Sequence, residues 1–215
     1  MKVCGLTGGV GMGKSTAARF LRERGAQIVD TDELARELVQ PGQPALDKIQ
    51  TAFGKTVIAS TGELKRAELA RIVFSDADAR NQLEAILHPP IREQWLAQIE
   101  TWRAAPKRPA ATVREHGGSD GGRKENHPLA VVVIPLLFET RAESHFDKIV
   151  CAACSAAAQR ERLLARGWTP EQIKQRIAAQ MPVEQKIARA DFVIWTDGAL
   201  DAHIRQIERI FAALK

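Results

Sequence analysis

The stretch Gly8-Gly9-Val10-Gly11-Met12-Gly13-Lys14-Ser15 decides the fold. Its spacing is G-x-x-x-x-G-K-[ST]. It follows the apolar run Lys2–Thr7 and opens a helical pattern over Thr16–Arg24 that Gly25 closes. Strand, glycine loop and helix in that order give the motif a physical meaning. Glycines let successive backbone N–H groups turn inward around a polyphosphate, and the helix N-terminus adds positive potential. Gly8, Gly9, Gly11, Met12 and Gly13 would form the cradle, and Lys14, Ser15 and Thr16 would close it. Lys14 would reach the β- and γ-phosphates, and Ser15 would offer a hydroxyl to Mg²⁺. A nucleoside triphosphate is the expected ligand.

Beyond the loop, strands alternate with helices. Gln27–Val29 reads as a second strand that ends at Asp30-Thr31-Asp32. Apolar spacing then predicts helices over Glu33–Val39, Ala45–Phe53, Arg66–Phe74 and Asp76–Leu87, with turn signals at Pro41-Gly42, Gly54 and Thr61-Gly62. So long a helical stretch between two strands exceeds an ordinary crossover, and 33–100 is expected to be a subdomain. Ala104–Pro128, rich in proline, paired glycines and charge, reads as a flexible surface insertion. Ala130–Ile134 is a continuous apolar strand, as expected where both sheet faces are covered. Lys148–Ala152 and Phe192–Trp195 complete five strands. Ser155 should cap a helix ending near Gly167, Thr169-Pro170-Glu171-Gln172 should start another through a capping box, and Leu200–Leu214 should close the chain. The expectation is an α/β fold: a parallel five-stranded sheet flanked by helices.

Composition narrows the function. Across 215 residues, 45% hydrophobic and 27% charged content provides a packed core and excludes global disorder. The longest apolar run, Leu129–Phe138, is too short to span a bilayer, and the N-terminus enters the first strand directly, unlike a secretory leader. The net charge of +5 suggests nucleic acid, but residues 103–127 carry six Lys/Arg against three Asp/Glu and so supply most of it. No duplex-binding face is expected. Three cysteines are not a disulfide framework, which favours a reduced, cytoplasmic setting.

Other residues are candidates for the site. Asp30 and Asp32 follow a strand at its C-terminal end, where ligands gather in doubly wound sheets. A carboxylate there can take a proton from an acceptor hydroxyl, and Asp32 can equally cap the helix that follows. Arg162 and Arg166 lie four apart on one helix face, with Arg176, Lys186 and Arg189 further on. Such cations can close over phosphates or simply face solvent. Cys151-Ala152-Ala153-Cys154 lacks partner ligands for zinc and is expected to be buried and inert. His88 either borders a ligand or packs beside Pro89-Pro90, read as a rigid turn. Trp95 and Trp102 share a helical face and should be core.

Leu6-Thr7-Gly8-Gly9-Val10-Gly11 with Gly13-Lys14-Ser15-Thr16, Asp30-Thr31-Asp32, His88-Pro89-Pro90-Ile91-Arg92, Pro135-Leu136-Leu137-Phe138-Glu139 and Ala190-Asp191-Phe192-Val193-Ile194 together resemble the dephospho-CoA kinase family, over residues 3–100 and 129–210. That resemblance implies a P-loop kinase fold with ATP held by a core of 1–32 and 129–215. It further implies an acceptor-binding helical insertion over 33–100, a helical lid over 155–185, and phosphorylation of the ribose 3′-hydroxyl of dephospho-CoA. By the same resemblance Asp32 is the base, Lys14 stabilises the transferring phosphoryl group, Arg162 belongs to the lid and contacts the nucleotide as a third catalytic residue, and His88 and Arg92 border the acceptor. The chain departs from the family at three points, one of them the Ala104–Pro128 connection, which is longer and more polar than usual. Val133 stands where many members carry an aspartate, which leaves magnesium to Ser15, the phosphates, water and Asp30 or Asp32. Trp195-Thr196-Asp197-Gly198 stands where Asp-Asn-Asn-Gly is common, so another group must contact the purine. The competing expectations are a kinase for a nucleoside, nucleotide or other metabolite, and a P-loop switch or nucleic-acid-dependent ATPase. No Asn-Lys-x-Asp guanine signature supports the latter.

Overall fold

The computed structural model describes residues 1–104 and 129–214. The expected insertion over 104–128, with His116 and His127, therefore lies outside the described residues apart from Ala104. Five parallel strands form one sheet: β1 (Lys2–Gly8), β2 (Gln27–Asp30), β3 (Leu129–Val133), β4 (Lys148–Ala153) and β5 (Phe192–Trp195), in the order β2-β3-β1-β4-β5. The register places Val133 beside both Leu6 and Asp30, so β1 runs two residues past the end of β2, to Gly8. The chain first fills one side of β1 and then crosses to the other. The loop after β1 thus sits at the point where strand order reverses, outside the carboxyl ends of the strands.

Helices cover both faces. On one side α1 (Lys14–Glu23) and α9 (Leu200–Leu214) bury Phe20, Leu21, Ile207, Ile210 and Leu214 against Leu6, Val131, Val133 and Ile194. On the other, Val3, Ala130, Val132 and Ile149 meet Trp95 and Ile99 from α5 (Ala77–Ala104), with Leu137 and Phe138 from the segment after β3. Trp95 stacks on Phe146 with ring centroids 5.6 Å apart. A third core, centred on Ile49, Val57, Leu69 and Val73, is built by α3 (Pro44–Phe53), α4 (Arg66–Ser75) and the first half of α5, away from the sheet. The short helix α2 (Thr31–Glu37) leads from β2 into this part.

α5 corrects the expected helix over Asp76–Leu87 and the expected turn at Pro89-Pro90. It is 28 residues long and contains both prolines. Pro89 and Pro90 leave the carbonyls of Ala85 and Ile86 without their helical donors. Packing on two sides explains the continuity. Leu83, Ile86 and Leu87 sit in the third core, whereas Ile91, Trp95, Leu96, Ile99 and Trp102 pack against the sheet. An interior proline costs about 3 kcal/mol and a buried large apolar side chain is worth about 1.5–3 kcal/mol, so a row of anchors on each side outweighs the pair. Trp95 and Trp102 do belong to this core.

Ser155 accepts from the Ala158 N–H at the start of α6 (Ala156–Ala165), and Thr169 with Gln172 forms the full capping box of α7 (Pro170–Ala178). A further short helix, α8 (Val183–Arg189), follows Pro182.

Candidate active site

The glycine loop joins β1 to α1 directly. Gly8 has φ 142°, and a Cβ there would fall 2.2 Å from the Ala152 carbonyl oxygen, a backbone atom that cannot yield. Gly13, the residue before α1, has φ 87° and lies against Thr196. Both positions need glycine for conformation, and Gly8 needs it for space as well. Met12 is buried, Thr16 half-buried and Ser15 exposed. Lys14 curls back, its Nζ donating to the carbonyls of Gly8 at 2.9 Å and Gly9 at 3.0 Å. Burial lowers its pKa to about 8; nearby Asp32 opposes that shift and Lys186 adds to it.

The Asp30-Thr31-Asp32 triplet divides three tasks. Asp30, not Asp32, caps α2: its Oδ1 accepts the Asp32 N–H at 2.9 Å. The buried Thr31 hydroxyl donates to the Val133 carbonyl at 2.9 Å and ties the turn to the sheet. Asp32 is therefore relieved of capping, and its carboxylate has no hydrogen-bond partner among the described residues. It is open to the adjoining cavity yet crowded by protein, and that desolvation, with Asp30 second, raises its pKa above the ordinary aspartate value.

Lys14 and Asp32 share a cavity of about 900 Å³ that runs between the loop, α5 and the segment after β3. His88 and Arg92, one turn apart on α5, line its far wall. Burial lowers the pKa of His88, with Glu84 opposing. Arg92 donates to His145 Nε2 at 2.9 Å, which makes that nitrogen an acceptor. Burial, and then the Arg92 charge, keep His145 neutral to lower pH than usual. Thus Lys14, Asp32, His88 and Arg92 come together.

Arg162 lies elsewhere. From α6 it donates to the Thr196 hydroxyl at 2.9 Å and to the Thr196 carbonyl, and the same hydroxyl donates to the Met12 carbonyl at 3.2 Å. It stands beside the loop rather than in the cavity wall.

The other cations are not one solvated cluster. Arg166 ends α6 and is exposed. Arg176 lies between the rings of Phe74 and Trp168, 4.1 Å from each centroid. Lys186 is fully buried: its Nζ is 2.8 Å from Glu139 Oε1 and 2.6 Å from the Pro135 carbonyl. Arg189 pairs with Glu143 and lies over Phe138. Sequence patterns offer no sign of Lys186 as a core residue, because a lysine three before an arginine on a short helix reads as a wet face. Gln159 and Gln180, which hold the glycine loop, also escape sequence reasoning. The detectable signal is Gln159 itself, a polar residue one turn before Leu163 on a buried face.

Cys151 and Cys154 are buried free thiols, as is Cys4; burial raises Cys151 to about 11 and Cys4 to about 12, which keeps them protonated. Among the described residues no group of three His, Cys, Asp or Glu side chains could hold a metal.

The sequence model of one protein family, described as dephospho-CoA kinase, matches residues 2–113 and 110–202. A dephospho-CoA kinase of Anaeromyxobacter dehalogenans is 42% identical over all of this chain and 93% of its own length. One from Bdellovibrio bacteriovorus is 38% identical over all of this chain and 97% of its own. The chain belongs to the dephospho-CoA kinase family. A Thermus thermophilus crystal structure aligns over the whole chain and 98% of its own, at 31% identity and a TM-score of 0.73. The dephospho-CoA kinase of Campylobacter jejuni, at 22% identity, shares the fold with a TM-score of 0.61 and coverage of the whole chain and 97% of its own. Membership in this family agrees with the P-loop kinase fold and sets aside the expectation of a switch or nucleic-acid-dependent ATPase.

Proposed function

We propose that the chain transfers the γ-phosphoryl group of ATP to the ribose 3′-hydroxyl of dephospho-CoA, giving CoA and ADP, with Asp32 and Lys14 at the reacting centre. The observation that carries this reading is the unspent Asp32 carboxylate, in the same cavity wall as Lys14. The triphosphate would lie on amides of the Gly8–Lys14 loop other than that of Val10, which Gln180 holds. Lys14 would exchange the Gly8 and Gly9 carbonyls for phosphate oxygens, which are better acceptors. The acceptor's 3′-oxygen then bonds to the γ-phosphorus as the bond to the ADP bridging oxygen breaks, and its proton goes to Asp32. Charge stabilisation and positioning contribute most of the rate.

The helices over 33–100 would seat the acceptor, with His88 and Arg92 at its border, and 155–185 would act as a lid, with Arg162 contacting the nucleotide. Thr196 is buried with its hydroxyl spent on Arg162 and the Met12 carbonyl, so the purine contact made by the family's asparagine would pass to another group. The donor set fits Mg²⁺, which typically keeps several waters and takes one or two carboxylates with substrate phosphates. Ser15 is exposed beside the loop, and Asp30 and Asp32 lie at the end of β2. When bound, the ion would supply positive charge that neutralises the phosphates. Buried free thiols are consistent with a reduced compartment, and we place the enzyme in the cytoplasm. No helix among the described residues is long and apolar enough to cross a membrane.

An ADP-coupled assay at fixed ATP with a panel of acceptors tests the reading. Dephospho-CoA should support turnover. Turnover with a nucleoside monophosphate and none with dephospho-CoA would overturn it.

A further inference from the structure

Val10, at the middle of the glycine loop, has both of its backbone polar groups held by glutamines from distant parts of the chain. Gln159 on α6 donates Nε2 to the Val10 carbonyl at 2.7 Å, and the Val10 N–H donates to Gln180 Oε1 at 2.9 Å. The orientation of each carboxamide follows from its partner. A carbonyl accepts only from the N–H end, and a backbone N–H donates only to the oxygen end. Gln180 therefore turns its Nε2, with two N–H donors, away from the loop, and that nitrogen has no acceptor among the described residues. Gln180 is also part of the wall of the cavity that holds Lys14 and Asp32.

The backbone beside Gln180 is fixed. The N–H of Met181 donates to Glu139 Oε1 at 2.8 Å, and the same oxygen takes the buried Lys186 ammonium. Lys186 also donates to the Pro135 carbonyl, which accepts the Thr7 hydroxyl at the end of β1. One connected set of polar contacts thus joins the end of β1, the segment after β3 and the turn after α7, and presents Gln180 to the loop at a set height. A side chain this well anchored at one end, with free donors at the other, suits an anion that arrives only with substrate.

We propose that Gln180 positions the transferring phosphoryl group, its Oε1 anchored on Val10 and its Nε2 donating to a phosphoryl oxygen opposite Lys14. This deepens, and rests on, the phosphotransfer reading above. It assigns a second neutral donor to a centre where Lys14 is the charged one. The Gln159 bond on the other side of Val10 holds the loop so that the Gln180 anchor stays in place.

The test compares the full-length enzyme with Gln180→Glu and Gln180→Leu, measuring kcat and both KM values with ATP and dephospho-CoA. Glutamate keeps an acceptor for the Val10 N–H but replaces the free donor with negative charge. Its kcat should fall at least about 10²-fold, the usual scale for losing one preorganised donor, and the added negative charge should also raise the KM for ATP. Leucine removes anchor and donor together, so kcat should fall comparably and the KM for ATP should rise as well. Should the leucine variant fold poorly, the near-isosteric glutamate variant decides alone. A kcat within about twofold of wild type in the glutamate variant, or a loss confined to KM in both, would overturn the proposal, because one lost donor should cost far more. A wild-type enzyme inactive on dephospho-CoA would count against the acceptor instead. The Gln180 comparison would then run with the acceptor that does support ADP formation, with the same fall in kcat expected.

Discussion

Asp32 and Lys14 perturb each other, and in the proposed mechanism both shifts would bear on rate. Asp32 must be ionised to accept a proton, and crowding by protein raises its pKa. Lys14 must be charged to bind phosphate, and burial lowers its pKa to about 8. The pH profile of kcat/KM for ATP, which reports the free enzyme, should therefore rise on an acidic limb displaced above the ordinary aspartate range and fall as pH passes about 8. Asp32→Asn should lower kcat on the order of 10²-fold, as loss of a general base does. It should also abolish the acidic limb and leave the nucleotide KM nearly unchanged. Persistence of that limb in Asp32→Asn would assign it to another group. At this scale the sequence was partly legible. The Gly8–Ser15 spacing located the loop, and the strand end located the aspartate pair. The division of labour between Asp30 and Asp32 was not, because either carboxylate satisfies a cap and only the backbone geometry selects one.

The helices show where local patterns stop being informative. Ser155 and the Thr169–Gln172 box were legible because a cap is a local hydrogen bond written in adjacent residues. α5 was not, because Pro89-Pro90 is a strong local signal that two separate cores override. α8 hides a different feature. Lys186 is fully buried while the Glu139 side chain is 22% exposed, so the pair sits at the edge of the interior. Lys186→Met should leave Glu139 Oε1 with only the Met181 N–H, beside an Oε2 that already has no partner among the described residues. Breaking a buried pair from one side costs about 3–5 kcal/mol, and the partial exposure of Glu139 puts the expected loss toward the lower value. Chemical denaturation checks this. A loss no larger than that of an exposed ion pair would show that the contact contributes little.

For the whole molecule, alternation of strands and helices was enough to anticipate a parallel sheet with its site at the carboxyl ends of the strands. Strand order was not deducible, since β3 inserts between β1 and β2 only after a long helical excursion. The cavity was not deducible either, because its walls come from the loop, α2, α4, α5, the segment after β3 and the end of α7 with the turn that follows, far apart in the chain. This layout has a functional consequence. The phosphate loop belongs to the sheet, whereas His88 and Arg92 belong to a helix shared between the sheet and a separate core, so under the proposed reading the two substrates would be held by different bodies of packing. The most direct measurement is a crystal structure of the enzyme with a non-hydrolysable ATP analogue and dephospho-CoA. Lys14 Nζ should lie on the phosphates rather than on Gly8 and Gly9, and the ribose 3′-hydroxyl should be hydrogen-bonded to Asp32. A triphosphate bound away from the Gly8–Ser15 loop, or a ribose hydroxyl directed away from Asp32, would contradict it.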